Sequence, residues 1–232
     1  MERDKKFIKK HFEKIVKRYD LVNLIGSLGQ DKLWRKRVAE IFKDLKSPIL
    51  DLCCGPYTLS LEISKKSSQP LFALDFSFSM LYYGKKRILN YQIYPVCGDA
   101  EILPFKRDTF GGISIAFGLR NLPNKEQALK EFYRVLKPDG LLVILEFSWP
   151  KNRFFQKIYQ IYLAKYIPLL GSILTKDRSA YLYLADSIKK FPNPEEIKKM
   201  LLETGFKKVK YESLTMGIVT LYTAYKVKIK NT

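Results

Sequence analysis

The chain has 232 residues, 47% of them hydrophobic, and a formal charge of +19, so it holds enough apolar material for one full core and is too short to call for two domains. No apolar run is long enough to cross a bilayer, and nothing apolar follows the charged opening Met-Glu-Arg-Asp-Lys-Lys; neither a membrane span nor a secretory signal is expected. Three cysteines, two of them adjacent at Cys53 and Cys54, form neither a disulfide framework nor a metal-ligand spacing, which argues for a cytoplasmic protein without a metal, and the basic surplus suits polyanions, nucleic acid or anionic lipid.

From Arg3 to Tyr19, the residues Ile8, Phe12, Ile15, Val16 and Tyr19 recur at helical spacing among lysines and arginines, predicting an amphipathic helix with a basic face. His11, the only histidine, reads as a solvated residue of that helix. Asp20 to Gln30 contains two glycines and an asparagine and reads as a loop, followed by a helix from about Asp31 to Leu45. The stretch Ser47 to Ser64 organises the rest: Pro48 opens it, the apolar run Ile49 to Leu52 follows, small residues turn the chain at Gly55, and Leu59, Leu61 and Ile63 begin a helix. In a parallel sheet such a turn lies at the carboxyl edge, where helix N-terminal amides face outward and a ligand can approach the backbone.

A strand at Pro70 to Asp75, a helix from Ser77 to about Leu89, strands at Tyr94 to Gly98 and Gly112 to Phe117, a helix at Asn124 to Leu136, a turn at Pro138-Asp-Gly140 and a strand at Leu141 to Phe147 come next. This alternation predicts an α/β fold with a doubly wound, mainly parallel sheet. Lys151 to Thr175 lacks acidic residues, is rich in Phe, Tyr, Ile and Leu, and is broken by Pro168 and Gly171. Helices at Arg178 to Phe191 and Pro194 to Thr204 precede two strand-like runs, Phe206 to Leu214 and Gly217 to Tyr225, which read as a hairpin and hence an antiparallel edge.

Asp75 ends the second strand about twenty residues after the Gly55 turn, where a carboxylate can accept from both hydroxyls of a ribose. Asp99 follows the third strand and can accept from an adenine amino group. Either aspartate alone would read as a turn residue; together, at the ends of successive strands, they point to a ligand. Cys54-Gly-Pro-Tyr-Thr58 does not supply Gly-x-Gly-x-x-Gly, so a pyrophosphate cradle is missing and an adenosine cofactor without phosphates fits better.

Asp99-Ala-Glu-Ile-Leu-Pro-Phe105, Ile115-Ala-Phe-Gly-Leu-Arg-Asn121, Arg134-Val-Leu-Lys-Pro-Asp-Gly140 and Leu145-Glu-Phe-Ser-Trp-Pro150, with Tyr19-Asp-Leu-Val-Asn23, Tyr183-Leu-Ala-Asp-Ser-Ile188 and Leu214-Thr-Met-Gly-Ile-Val219, resemble the menaquinone and ubiquinone biosynthesis C-methyltransferases over nearly the whole chain. The resemblance implies a seven-stranded fold of the class I methyltransferase type, S-adenosyl-L-methionine as cofactor, and methylation of a ring carbon on a prenylated quinol. It puts cofactor contacts at Gly55, Pro56, Asp75, Asp99, Ala100 and Ala116, and candidate catalytic groups at Asp20, Asn23, Arg120 and Asn121 in loops near the substrate, with Arg120 placed to stabilise an oxyanion.

It also implies one domain over 1–232, with a helical cap at 1–45, a cofactor-binding core at 46–150, a helical substrate lid at 151–205 and the closing hairpin at 206–227. The family pattern departs in three places: Gly55-Pro-Tyr-Thr58 stands for Gly-Thr-Gly-Asp, Gly111 for an aspartate, and Ala116 for a serine-like contact. Tyr57 is expected to bring its side chain into the ligand's approach, so that glycine at 57 would tighten binding. The segment Lys151 to Thr175 and the N-terminal helix are expected to form the substrate entrance and to touch an anionic membrane surface on its inner face. Other readings stay open: another small-molecule methyltransferase, a nucleic-acid methyltransferase, or a methyltransferase-fold subunit without catalysis. The nucleic-acid reading lacks an Asn-Pro-Pro-Tyr type segment and a recognition module, so no nucleic-acid partner is expected.

Overall fold

The structure, a computed structural model, describes residues 19–174 and 178–228; all but the last residue of the predicted basic helix, His11 included, lies outside them. Seven strands form one sheet in the order β3-β2-β1-β4-β5-β7-β6: β1 Ile49–Leu52, β2 Leu71–Asp75, β3 Ile93–Cys97, β4 Phe110–Ala116, β5 Leu136–Phe147, β6 Lys207–Leu214 and β7 Val219–Tyr225. The first five run parallel, and β7 lies antiparallel to both β5 and β6. β1 and β4 are buried along their whole length, which is why they carry apolar residues toward both faces, with the polar Asp51 and Ser114 hydrogen-bonded to each other.

The pleat sends alternate residues to two cores. On one face Leu50, Leu52, Ile113 and Ile115 meet Leu129 and Phe132 of α5 (Lys125–Val135) and Ile197 and Leu201 of α9 (Pro194–Thr204). On the other, Ile49, Leu71 and Ala73 meet Trp34 and Val38 of α2 (Gln30–Ile41) and Leu59 and Ile63 of α3 (Thr58–Ser64). The winding reverses between β1 and β4, and the crevice beyond their carboxyl ends is where an open α/β sheet receives a ligand.

Four expectations need correction. Asp20 to Gln30 is not a loop: α1 spans Tyr19–Gly26, because Leu21, Leu24 and Ile25 already fall at helical spacing, and the glycines mark its end, Gly29 at φ 80°. The helix predicted from Ser77 is α4 (Phe78–Gly84) followed by a 3₁₀ turn, Lys85–Ile88. Pro138-Asp-Gly140 is absorbed into β5 as a bulge: Leu136 already pairs with Phe110, pairing resumes at Gly112 with Leu141, and Asp139 turns at φ 61°. Nor does Pro168 break the chain. α6 (Arg153–Ile161) widens into a π-helical turn, Tyr162–Tyr166, and continues as α7 (Ile167–Leu174); the wide turn accommodates the missing N–H of a proline in the first turn of α7.

α6, α7 and α8 (Arg178–Lys189) form a layer over the crevice. Tyr159, Leu163, Ile167 and Ile188 give it a small core of its own. No helix among the described residues is long and apolar enough to cross a membrane.

Candidate active site

A cavity of about 760 Å³ lies between the carboxyl ends of β1, β2 and β4 and the layer of α6 to α8, with α1 and α2 closing one side. The sharp β1-to-α3 connection shapes its strand-edge end, with Cys53, Gly55 and Tyr57 all left-handed at φ 52°, 55° and 65°. Its base is tied down by Asp51, which is fully buried and accepts from the Ser60 hydroxyl at 2.6 Å and the Ser114 hydroxyl at 2.7 Å. Burial pushes that carboxyl up to about 6, against the pull of the two hydroxyls.

Gly55 N–H donates to Asp75 Oδ2 at 2.8 Å, and Ser77 N–H donates to Asp75 Oδ1 at 2.8 Å. Burial raises the Asp75 carboxyl above its ordinary range while these two bonds oppose the shift. Each carboxylate oxygen has a second lone pair for a ligand hydroxyl. Asp99 Oδ1 accepts from Glu101 N–H at 2.9 Å, which fixes its loop. Gly55, Asp75, Asp99, Ala100 and Ala116 all line the cavity; Pro56 does not, and its carbonyl accepts from Arg87 Nη1 at 3.0 Å on the far side of the turn.

Tyr57 corrects the expectation of a crowded approach. Its side chain is fully buried, its hydroxyl donates to the Leu81 carbonyl at 3.0 Å, and it is absent from the cavity wall. Its positive φ turns Cβ away from the ligand side, into room left by Gly84, where a Cβ would stand 2.6 Å from Tyr57 Cδ2.

At the other end, Arg120 is buried in the 3₁₀ turn Leu119–Asn121, and Glu146 of β5 gathers three donors: Arg120 Nη1 at 2.8 Å, Arg120 N–H at 3.0 Å and Phe147 N–H at 2.9 Å. Asn121 accepts from the Tyr183 hydroxyl at 3.2 Å. Arg120 and Asn121 therefore sit together on the wall, joined there by Asn23 from α1; the backbone of Asp20 belongs to the same helix, and its side chain lies outside the described residues.

Sequence reasoning missed a second buried pair, Arg35 Nε to both Asp31 oxygens at 2.9 Å, although a carboxylate and an arginine four apart on a helix are a readable signal. The two guanidiniums flank an aromatic pair: Arg35 lies over Phe117 at 5.2 Å, Arg120 over Phe147 at 5.2 Å, and the rings are 4.6 Å apart. It missed Glu146, Tyr159 and Tyr183 as well. Glu146 had a signal in being the one acid of an apolar strand end, and Tyr183 in opening the stretch Tyr183-Leu-Ala-Asp-Ser-Ile188; Tyr159 had none, since its place depends on how the helical layer docks.

The donor-facing residues fit an adenosine sulfonium. Asp75 keeps acceptor capacity for ribose hydroxyls, Asp99 stands at the next strand end, and Leu74, Phe76 and Met80 give apolar wall for a purine. Among the described residues no cluster of His, Cys, Asp or Glu could hold a metal.

The sequence pattern of the ubiE/COQ5 methyltransferase family matches residues 1–226. The ubiquinone/menaquinone biosynthesis C-methyltransferase UbiE of Geotalea daltonii is 40% identical over 230 residues, covering 94% of this chain and 96% of that protein. A demethylmenaquinone methyltransferase of Streptomyces avermitilis is 41% identical over 217 residues, covering 93% and 92%. Among solved structures, an Aquifex aeolicus SAM-dependent methyltransferase superposes with a TM-score of 0.61 at 17% identity, covering 90% of this chain and 98% of that one. Haemonchus contortus phosphoethanolamine N-methyltransferase 2 in complex with S-adenosyl-L-methionine superposes at 0.62 and 14%, covering 84% and 52%; these two likenesses speak to the fold.

Proposed function

The chain belongs to the ubiE/COQ5 methyltransferase family, and from that premise we propose that it methylates a ring carbon of a prenylated quinol in quinone biosynthesis, with S-adenosyl-L-methionine as the methyl donor. The observation that carries the reading is one cavity with two unlike ends, carboxylates at successive strand ends on one side and an aromatic, apolar wall with a buried Arg120–Glu146 pair on the other. When bound, S-adenosyl-L-methionine supplies an activated electrophilic methyl group. The protein's part is to align a ring carbon with it and to favour loss of a proton, since methylation replaces a ring hydrogen and an ionised quinol oxygen enriches the neighbouring carbon.

Gly55, Asp75, Asp99, Ala100 and Ala116 would hold the adenosine part. Arg120 would face the quinol oxygen, with Asn23 and Asn121 orienting the ring, and the Phe117–Phe147 pair would exclude water. The chain works as a single domain in this reading, with 151–205 as the substrate lid. With methyl-labelled donor, label should appear in a demethylated naphthoquinol or the corresponding benzoquinol; a protein that binds the donor and labels neither would overturn the assignment.

A prenylated quinol resides in lipid, so a peripheral position on the inner face of the cytoplasmic membrane belongs to the same proposal. Its support is the outer face of the helical layer, where Phe154, Ile161 and Leu169 are 66%, 59% and 59% exposed beside Arg153, Lys157 and Lys165. Each basic residue near an anionic surface contributes about 1 kcal/mol. Co-sedimentation with anionic vesicles that weakens as salt rises is expected; a protein left in the supernatant at every salt concentration would leave those helices as a lid alone.

A further inference from the structure

We propose that the Tyr159 hydroxyl is the hydrogen-bond donor that holds one ring oxygen of the quinol, which makes Tyr159 a catalytic residue of this site. The inference rests on the quinol reading and deepens it by naming a group that touches the substrate. Tyr159 of α6 is one of the residues lining the cavity and is 3% exposed. Its ring is fixed between Trp149, 5.7 Å away, and Tyr162, stacked at 6.1 Å, over the small core of Leu163, Ile167 and Ile188.

Its hydroxyl is fully buried and has no hydrogen-bond partner among the described residues. The neighbouring tyrosines differ: Tyr162 donates to the Gly26 carbonyl and Tyr183 to Asn121. Burying a hydroxyl without a partner costs folding free energy, and phenylalanine would fill the same space without that cost. In a cavity wall, such a group points to a ligand acceptor.

The acceptor must be on the substrate side. Phe147 of the aromatic pair packs against the same small core as Tyr159, which places the phenol at that end of the cavity. Burial drives its ionisation far above the physiological range, so it serves as a donor and not as the base. A quinol offers an oxygen as acceptor on an otherwise apolar ring. A donor there stabilises the ionised oxygen and settles which neighbouring carbon faces the methyl group.

Tyr159→Phe tests this with four readings: thermal midpoint, donor affinity by calorimetric titration, kcat/KM for the quinol, and its pH profile. We expect a midpoint equal to or above the parent's, unchanged donor affinity, kcat/KM lower by about tenfold or more, and an alkaline shift of the rising limb as the quinolate loses its partner. Parental kcat/KM with an unshifted profile would overturn the proposal while leaving the quinol reading intact. A loss of donor affinity matching the loss of activity would assign the hydroxyl to the cofactor instead and overturn it too. A parent protein that methylates no quinol removes the premise, and the proposal falls with it.

Discussion

At the strand-edge end of the cavity the defining contact, Gly55 N–H to Asp75, joins positions 20 apart across one β-α-β unit. At the aromatic end the contacts join Arg120 to Glu146 across 26 positions, Tyr183 to Asn121 across 62 and Tyr162 to Gly26 across 136. The first end, and the Arg120–Glu146 pair of the second, are made by neighbouring strands and the turns that leave them; the Tyr183 and Tyr162 contacts exist only after α1 and the layer of α6 to α8 have docked on the sheet. A donor site built from local turns can stay the same while the docked layer changes to suit another acceptor, and the two ends should therefore fail separately.

The largest effect should come from the aromatic end. Glu146→Ala removes the acceptor of three hydrogen bonds and leaves the Arg120 guanidinium buried without its counter-charge, which costs about 3–5 kcal/mol in denaturant unfolding. A loss of about 1 kcal/mol would mean that this end is held by packing rather than by the ion pair.

Asp75→Ala acts at the strand edge. It takes away the Gly55 partner and an acceptor for the donor's ribose, and should weaken S-adenosyl-L-methionine binding by about tenfold or more, equivalent to about 1.5–3 kcal/mol. The KM for the quinol should move little. Equal losses for donor and quinol would show that the ends are one cooperative unit and break the comparison.

The same division explains what could be read in advance. The alternation of strands and helices, the hairpin edge and the residues at strand ends follow from periodicity and turn chemistry, so Asp75, Asp99 and the Gly55 turn were legible from residues Ser47 to Asp99, whereas the strand order was not. α1 was misread because two glycines outweighed the spacing of Leu21, Leu24 and Ile25. Arg120 and Asn121 were named through family resemblance, but the carboxylate that holds Arg120 sits on another strand, and only the sheet register brings Glu146 beside it. Tyr159 is one of several aromatic residues between Lys151 and Thr175, and no pattern distinguishes the one that lines the cavity with a buried, unpartnered hydroxyl.

Tyr57 tests the division at its finest point, because it lies in the donor turn and yet packs away from the donor. Reading a tyrosine where glycine is expected as an obstacle assumed that its side chain faces the ligand; at φ 65° the backbone turns it toward α4. Tyr57→Phe keeps the ring against Gly84 and removes the bond to the Leu81 carbonyl, so stability should drop by about 1 kcal/mol while donor affinity stays at the parental value. Thermal unfolding and calorimetric titration of the same variant separate the two quantities. A changed donor affinity with an intact midpoint would mean that the hydroxyl restrains the Gly55 amide through the turn, and the strand-edge end would then extend below the cavity wall to α4.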